Sequence, residues 1–260
     1  MDFGYSIAGF IVGFIVGMTG VGGGSLMTPI LVLVFSIKPA IAVGTDLLYA
    51  AITKSGGILV HNKKGNINWR IVGLLSLGSL PASLLSIYLL QYLGHAGINY
   101  DRLITSSLSI ALMLTSLVLL FKDRLQQLGL NERFDVIRAL HKQFQAPITV
   151  IAGVILGVLV TLSSVGAGAL GAAILFFLYP RLPTIKIVGT DLAHAVPLTA
   201  VAGLGHMHLG TIDLNLLGYL LLGSLPGIYI GSHIAVRLPD QLVRTALACM
   251  LFLIGVRLAV

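Results

Sequence analysis

The segment Val43-Gly44-Thr45-Asp46-Leu47 returns 145 residues later as Val188-Gly189-Thr190-Asp191-Leu192. In the same register His61 returns as His206, Gly65 as Gly210, Ile67 as Ile212, and Gly78-Ser79-Leu80-Pro81 as Gly223-Ser224-Leu225-Pro226. A glycine-dense turn running from Gly17 to Pro29 has a weaker copy from Leu162 to Gly171, aligned at 144 and implying a one-residue indel. Chance does not hold one register across so many unlike residue types, so the chain is two copies of one unit.

The unit is built for lipid. Of 260 residues, 57% are hydrophobic and 10% charged, against about 25% charged in a soluble domain; mean hydropathy is +1.00. Apolar segments fall near 5–18, 25–37, 43–60, 70–93 and 103–121, then near 148–162, 168–179, 187–205, 215–236 and 241–260. Between the sets lies a polar, helix-patterned stretch, which divides the chain into a first transmembrane repeat (1–121), a cytoplasmic amphipathic connector (122–147) and a second repeat (148–260). The net charge of +7 sits in a few loops and does not indicate nucleic-acid binding. A lone Cys249 excludes a disulfide framework or CxxC chemistry. The N-terminus lacks the basic region of a cleaved signal peptide.

The apolar pieces flanking the first glycine turn are each shorter than the ~20 residues a spanning helix needs. Interrupted backbone is tolerated at membrane depth only where protein or a wet cavity satisfies its polar groups. Glycines admit a ligand close to backbone donors, and a helix N-terminus offers N–H groups to an anion. The expectation is a helix–loop–helix hairpin lining a substrate site, through Gly22, Gly23, Gly24 and Ser25 in the first copy and Ser163, Ser164, Gly166 and Gly168 in the second. The plainer alternative is two ordinary helices joined by a tight loop. With both ends of each hairpin on one side, each half makes an odd number of crossings and the second half is inverted. Lys63, Lys64, Arg70, Arg124, Arg138, Lys186 and Arg237 then share one side with most other basic residues. That side is cytoplasmic, which places both termini in the periplasm. The predicted fold is all-α: two inverted-topology repeats, each a glycine-rich broken or re-entrant hairpin plus three spanning helices, as in many secondary transporters.

Lys54 stands mid-segment, about eight residues from either end, where a charge costs roughly 2.5–3.5 kcal/mol. It reads as a ligand for an anionic substrate or as a partner of Asp46 or Asp191; Asp46 is about 12 Å away along a helix. Thr53 beside it, with Thr45 and Thr190, adds hydroxyls. Asp46 and Asp191 read either as helix-start caps or as protonatable groups coupling transport to the proton gradient. His194, one turn past Asp191, could titrate with it. His206 and His208 lack the neighbours of a metal site. Gly9, Gly13 and Gly17 read as close helix packing, and Pro81 and Pro226 as kinks. Ser163 or Ser164 with His194 as base would make an intramembrane serine protease, which would not need a duplicated site.

Taken together, the glycine-rich turn with Pro29, the Val43-Gly44-Thr45-Asp46-Leu47 block and His61-x-x-x-Gly65-Asn66-Ile67-Asn68-Trp69 resemble the sulfite exporter TauE/SafE family, also called the toluene sulfonate uptake permease family, over residues 4–257. The resemblance implies a bacterial inner-membrane carrier of small sulfur-containing anions (sulfite, sulfate, thiosulfate, short organosulfonates) working by alternating access, often with protons, and without a cofactor. It carries over the two hairpins, Thr45, Asp46, Thr190 and Asp191. Lys54 and His194 rest on their chemistry in this chain. The second hairpin departs from the first, with Ala167 for a glycine and Ala173 opposite Pro29. Clamping arginines are absent from the apolar segments apart from Arg257 at the end, which favours a small oxyanion over larger phosphates. A carrier of another small anion, such as a carboxylate, is the alternative; oligomeric state is left open.

Overall fold

A computed structural model describes the backbone of residues 2–19, 24–130, 135–234 and 240–259, and the side chains of 3–18, 26–121, 144–233 and 245–259. The described residues are helical, with no strand. The first half contains α1 (Asp2–Thr19), α2 (Gly24–Leu33), α3 (Pro39–Lys63), α4 (Trp69–His95) and α5 (Asp101–Leu130). The second contains α6 (Asp135–Ser163), α7 (Ala169–Leu178), α8 (Thr184–His208), α9 (Leu214–Ile234) and α10 (Asp240–Ala259). Most side chains of the polar connector lie outside the described residues; its backbone continues α5 as far as Leu130 and opens α6 at Asp135.

Repeated sequence makes repeated local structure. After α3 the chain turns at Gly65 (φ 65°), with Asn66 N–H donating to His61 O; after α8 it turns at Gly210 (φ 70°), with Thr211 N–H donating to His206 O. Only glycine enters this left-handed corner without strain, hence its recurrence. The next helices open on matched caps, Asn68 Oδ1 accepting from Ile71 N and Asp213 Oδ1 from Leu216 N.

The halves then exchange partners. A Cβ added at Gly9, Gly13 or Gly17 of α1 would strike the carbonyls of Leu220, Ser224 and Ile228 on α9, so these helices run parallel in backbone contact. Gly153 and Gly157 of α6 meet Leu75 O and Ser79 O of α4 at the repeat-related positions. The small-residue steps on α1 are therefore close packing, as expected. At the centre α3 and α8 run antiparallel, Gly57 lying against Leu192 and Gly203 against Leu48. The cores follow suit: Val12, Leu31, Ala42 and Leu220 pack in one, and their counterparts Leu156, Leu175, Ile187 and Leu75 in another. A third, with Val43, Leu47, Ala195 and Leu198, fills the crossing of α3 and α8.

Among the described residues five stretches, Trp69–His95, Asp101–Phe121, Phe144–Ser163, Thr184–His208 and Leu214–His233, are long and apolar enough to cross a membrane. The protein is a multi-pass membrane protein. Helix α3, although 25 residues long, is not among the five, because Asp46 and Lys54 lower its hydropathy. Helices α2 and α7 have 10 residues each, about 15 Å at 1.5 Å per residue, or half a hydrocarbon core. The second hairpin arm was expected to run to residue 37; instead α2 stops at Leu33, and the chain turns through Ser36 (φ 53°) before Pro39 opens α3.

Candidate functional site

The antiparallel crossing of α3 and α8 brings intramembrane charge together. Lys54 is 8% exposed and donates from Nζ to Ala167 O at 2.6 Å. That carbonyl is free because the link from α6 to α7 is not helical: Ser164 (φ 58°), Gly166 (φ 117°) and Gly168 (φ 135°) turn left-handed around it. A lysine from one repeat thus docks on the broken helix of the other. Asp46, Asp191 and His194 are all within electrostatic reach of its ammonium group.

The two carboxylates are related by the repeat but held differently. Asp46 is wholly buried; its Oδ2 accepts from the hydroxyl of Thr28 on α2, and its Oδ1 has no partner among the described residues. The Ser164 hydroxyl lies beside this carboxylate, short of hydrogen-bond geometry. The α7 residue opposite Thr28 is Ala172, which offers no hydroxyl. Asp191 instead presses Oδ1 against Gly171 in the first turn of α7, where a Cβ would collide with it, and Oδ1 is unpartnered. The capping reading of both acids fails, because α3 begins at Pro39 and α8 at Thr184, well before either aspartate.

One turn further on, the repeats present Tyr49 and His194 at equivalent positions. His194 Nε2 meets Ser79 Oγ of α4 at 2.8 Å, leaving Nδ1 buried and unpartnered. Tyr49 faces the counterpart, Ser224 of α9, without a hydrogen bond, so the phenol and that serine hydroxyl are both unsatisfied. Buried polar groups are almost always paired. The crossing therefore concentrates unmet hydrogen-bonding capacity around one lysine.

The other expected residues are distributed more widely. Gly22 and Gly23 lie outside the described residues; Gly24 and Ser25 open α2, and the Ser25 side chain is likewise undescribed. Thr45 Oγ1 accepts from Asp213 N at 3.1 Å, and its counterpart Thr190 from Asn68 N at 3.0 Å, each hydroxyl tying a central helix to the loop of the other repeat. Thr53 donates to Tyr49 O within its helix. Ser163 Oγ donates to Leu159 O at 2.6 Å and accepts from Val165 N. The histidine pairs with Ser79, not with Ser163 or Ser164, so the serine–histidine pairing of the protease reading is not formed. His206 Nδ1 meets Thr211 and Nε2 meets Thr161 O, consistent with a structural histidine. Among the described residues no group of three or more His, Cys, Asp or Glu could hold a metal. Sequence reasoning missed Thr28, Tyr49, Ser79, Ser224 and the Ala167 carbonyl. The 145-residue offset pairs Tyr49 with His194 and Ser79 with Ser224, a signal that could have found three of them.

The family model described as "Sulfite exporter TauE/SafE" matches residues 5–258. The chain belongs to the sulfite exporter TauE/SafE family. Among curated members of this kind it is similar to "Probable membrane transporter protein YjnA" of Bacillus subtilis (strain 168), 35% identical over 252 residues and 97% of each chain. It is also similar to "Probable membrane transporter protein YdhB" of the same organism, 29% identical over 92% of each chain. A "Probable membrane transporter protein" of Methanocaldococcus jannaschii is 26% identical over 96% of this chain and 92% of the relative. No solved structure matches. The TauE/SafE relationship spans both repeats, and so covers the whole crossing where Lys54, Asp46, Asp191 and His194 meet.

Proposed function

We propose that the protein is a secondary carrier of small sulfur-containing anions (sulfite, sulfate, thiosulfate or a short organosulfonate) across the bacterial inner membrane, driven by alternating access and coupled to protons. The single observation that carries this reading is Lys54, an ammonium group buried where the two repeats cross, whose direct partner is a backbone carbonyl and which two carboxylates flank. A fixed charge at that depth is expensive and marks substrate or ion pathways. The electrostatics then require protons. With Asp46, Asp191 and Lys54 all charged, the site carries a net negative charge and repels an anion; protonating the carboxylates leaves Lys54 to attract it. Anion and protons therefore enter together, and Asp191, with no hydroxyl partner from α7, is the more exchangeable of the two acids.

The repeats supply the movement. Antiparallel α3 and α8, with swapped pairs α1–α9 and α4–α6, support an inverted-topology architecture in which α2 and α7 re-enter from opposite faces and both termini are periplasmic. The glycine-seated pairs move as rigid units around the crossing, exposing it to one side at a time. Its charged groups are buried in this conformation.

The deciding experiment is flux of labelled sulfite, sulfate, thiosulfate and taurine into proteoliposomes, with and without an imposed pH gradient. Saturable uptake stimulated by acid on the entry side supports the reading. Folded protein that carries none of these, while carrying a carboxylate, transfers the site to another anion; folded protein that moves neither overturns it.

A further inference from the structure

We propose that the hydroxyls of Tyr49, Ser164 and Ser224 form the cradle that recognises the oxygen atoms of the transported anion, with Tyr49 as the specificity-determining residue; the proposal rests on the anion-carrier reading above. All three side chains are buried, and among the described residues none of the hydroxyls has a partner in hydrogen-bond geometry. They arrive from three elements and both repeats: α3, the α6–α7 link and α9. Tyr49 faces Ser224 and Asp46, Ser164 faces Asp46, and Asp46 in turn is within reach of Lys54, so the three donors share one neighbourhood with the site's cation.

Unmet hydroxyls of this kind cost folding energy and persist where a ligand completes them. The repeat supplies an internal control. At the equivalent position His194 is hydrogen-bonded to Ser79, so the unsatisfied state of Tyr49 and Ser224 is not a by-product of the fold. The His194–Ser79 pair is closed while its counterpart Tyr49–Ser224 is open, which sets the cradle on the Tyr49 side of the crossing. Ser164 joins it because its left-handed backbone departs from the α6 helix. Several hydroxyl donors beside one ammonium suit a pyramidal or tetrahedral oxyanion, which presents three or more acceptor oxygens about one centre. A carboxylate presents two in one plane and would leave a donor unmet.

The test compares wild type and Tyr49→Phe in proteoliposomes, with labelled sulfite and sulfate as probes and acetate as competitor, alongside thermal unfolding in detergent. A phenol hydroxyl with no partner adds nothing to folding, so Tyr49→Phe is expected to melt at or above the wild-type temperature. Its KM for the sulfur oxyanion is expected to rise roughly 10- to 100-fold, the range for a hydrogen bond to a charged group, with acetate competing better than against wild type. Ser224→Ala is expected to follow in the same direction. An unchanged KM in Tyr49→Phe, with wild type transporting normally, overturns the cradle and leaves the carrier standing. A marked fall in melting temperature overturns it too, because the hydroxyl is then structural. Wild type that moves no sulfur oxyanion overturns the reading on which the proposal rests.

Discussion

Lys54 Nζ donates to Ala167 O across 2.6 Å, a bond between residues 113 apart that fastens the third helix of one repeat to the broken helix of the other. The contact is strong, charge-assisted and unsuited to a static role, since a backbone carbonyl neutralises no charge. On the proposed carrier reading, an entering anion takes the ammonium away from that carbonyl without an ion pair having to break. We expect Lys54→Ala to lower flux at least ~100-fold at subsaturating substrate, from loss of about 3 kcal/mol of charged hydrogen bonding, while the protein still folds in detergent. Lys54→Arg is expected to fall between, because a guanidinium fork does not reproduce a point charge. Wild-type flux in both variants would remove Lys54 from the pathway.

The unlike anchoring of Asp46 and Asp191 separates their roles. Asp191→Asn is expected to keep substrate binding but to lose stimulation by an acidic entry side, which a pH-jump flux assay measures directly. Asp46→Asn is expected to weaken substrate affinity more than coupling, because its carboxylate holds the Thr28 hydroxyl and lies beside Ser164 and Tyr49. Equal loss of coupling in both would mean that they titrate as one unit.

Gly171 has no room for a methyl group, since a Cβ there would occupy the position of Asp191 Oδ1. Gly171→Ala should displace the carboxylate and reproduce the uncoupling of Asp191→Asn with little loss of stability. The comparison is made in the same flux assay, with circular dichroism to confirm folding.

Glycines alike in sequence differ in what they touch. Gly13→Ala and Gly157→Ala push a methyl group into the backbone of Ser224 and Ser79, and each is expected to cost about 1–3 kcal/mol. Gly73 and Gly218, related by the same offset, have open space around them. Alanine at either is expected to be neutral or to stabilise by up to ~1 kcal/mol through helix propensity. Melting temperatures in one detergent order the four.

Thr45 and Thr190 accept hydrogen bonds from backbone N–H groups at the helix starts of the opposite repeat. Thr45→Val and Thr190→Val should each destabilise the protein by about 1 kcal/mol and leave KM within about twofold. A large KM change would restore them to the substrate pathway.

Helix number and the duplication were legible because each depends on residue type and spacing. The lysine was conspicuous as a cost without a visible return. Tyr49 was not: an aromatic inside an apolar helix reads as core, and only its unpartnered hydroxyl sets it apart. Nor could spacing reveal that the hydroxyl of Thr28 is taken by Asp46, or that Ala167 contributes through its carbonyl, since any residue has one. The capping reading of Asp46 and Asp191 failed because Pro39 and Thr184 start their helices earlier than the apolar pattern suggested. Thr45 was read as a ligand because nothing local shows that a loop 168 residues away consumes its hydroxyl.

The exchange of partners between repeats has a consequence for biosynthesis. Helix α1 leaves the ribosome well before the backbone it seats against: α9 follows some two hundred residues later, which at ~5–20 residues per second is roughly 10–40 s of translation. Throughout that interval the groove of Gly9, Gly13 and Gly17 has only lipid or insertion machinery against it. Maturation thus waits on a helix of the first repeat finding one of the second, and a nascent chain halted between the repeats has no way to close.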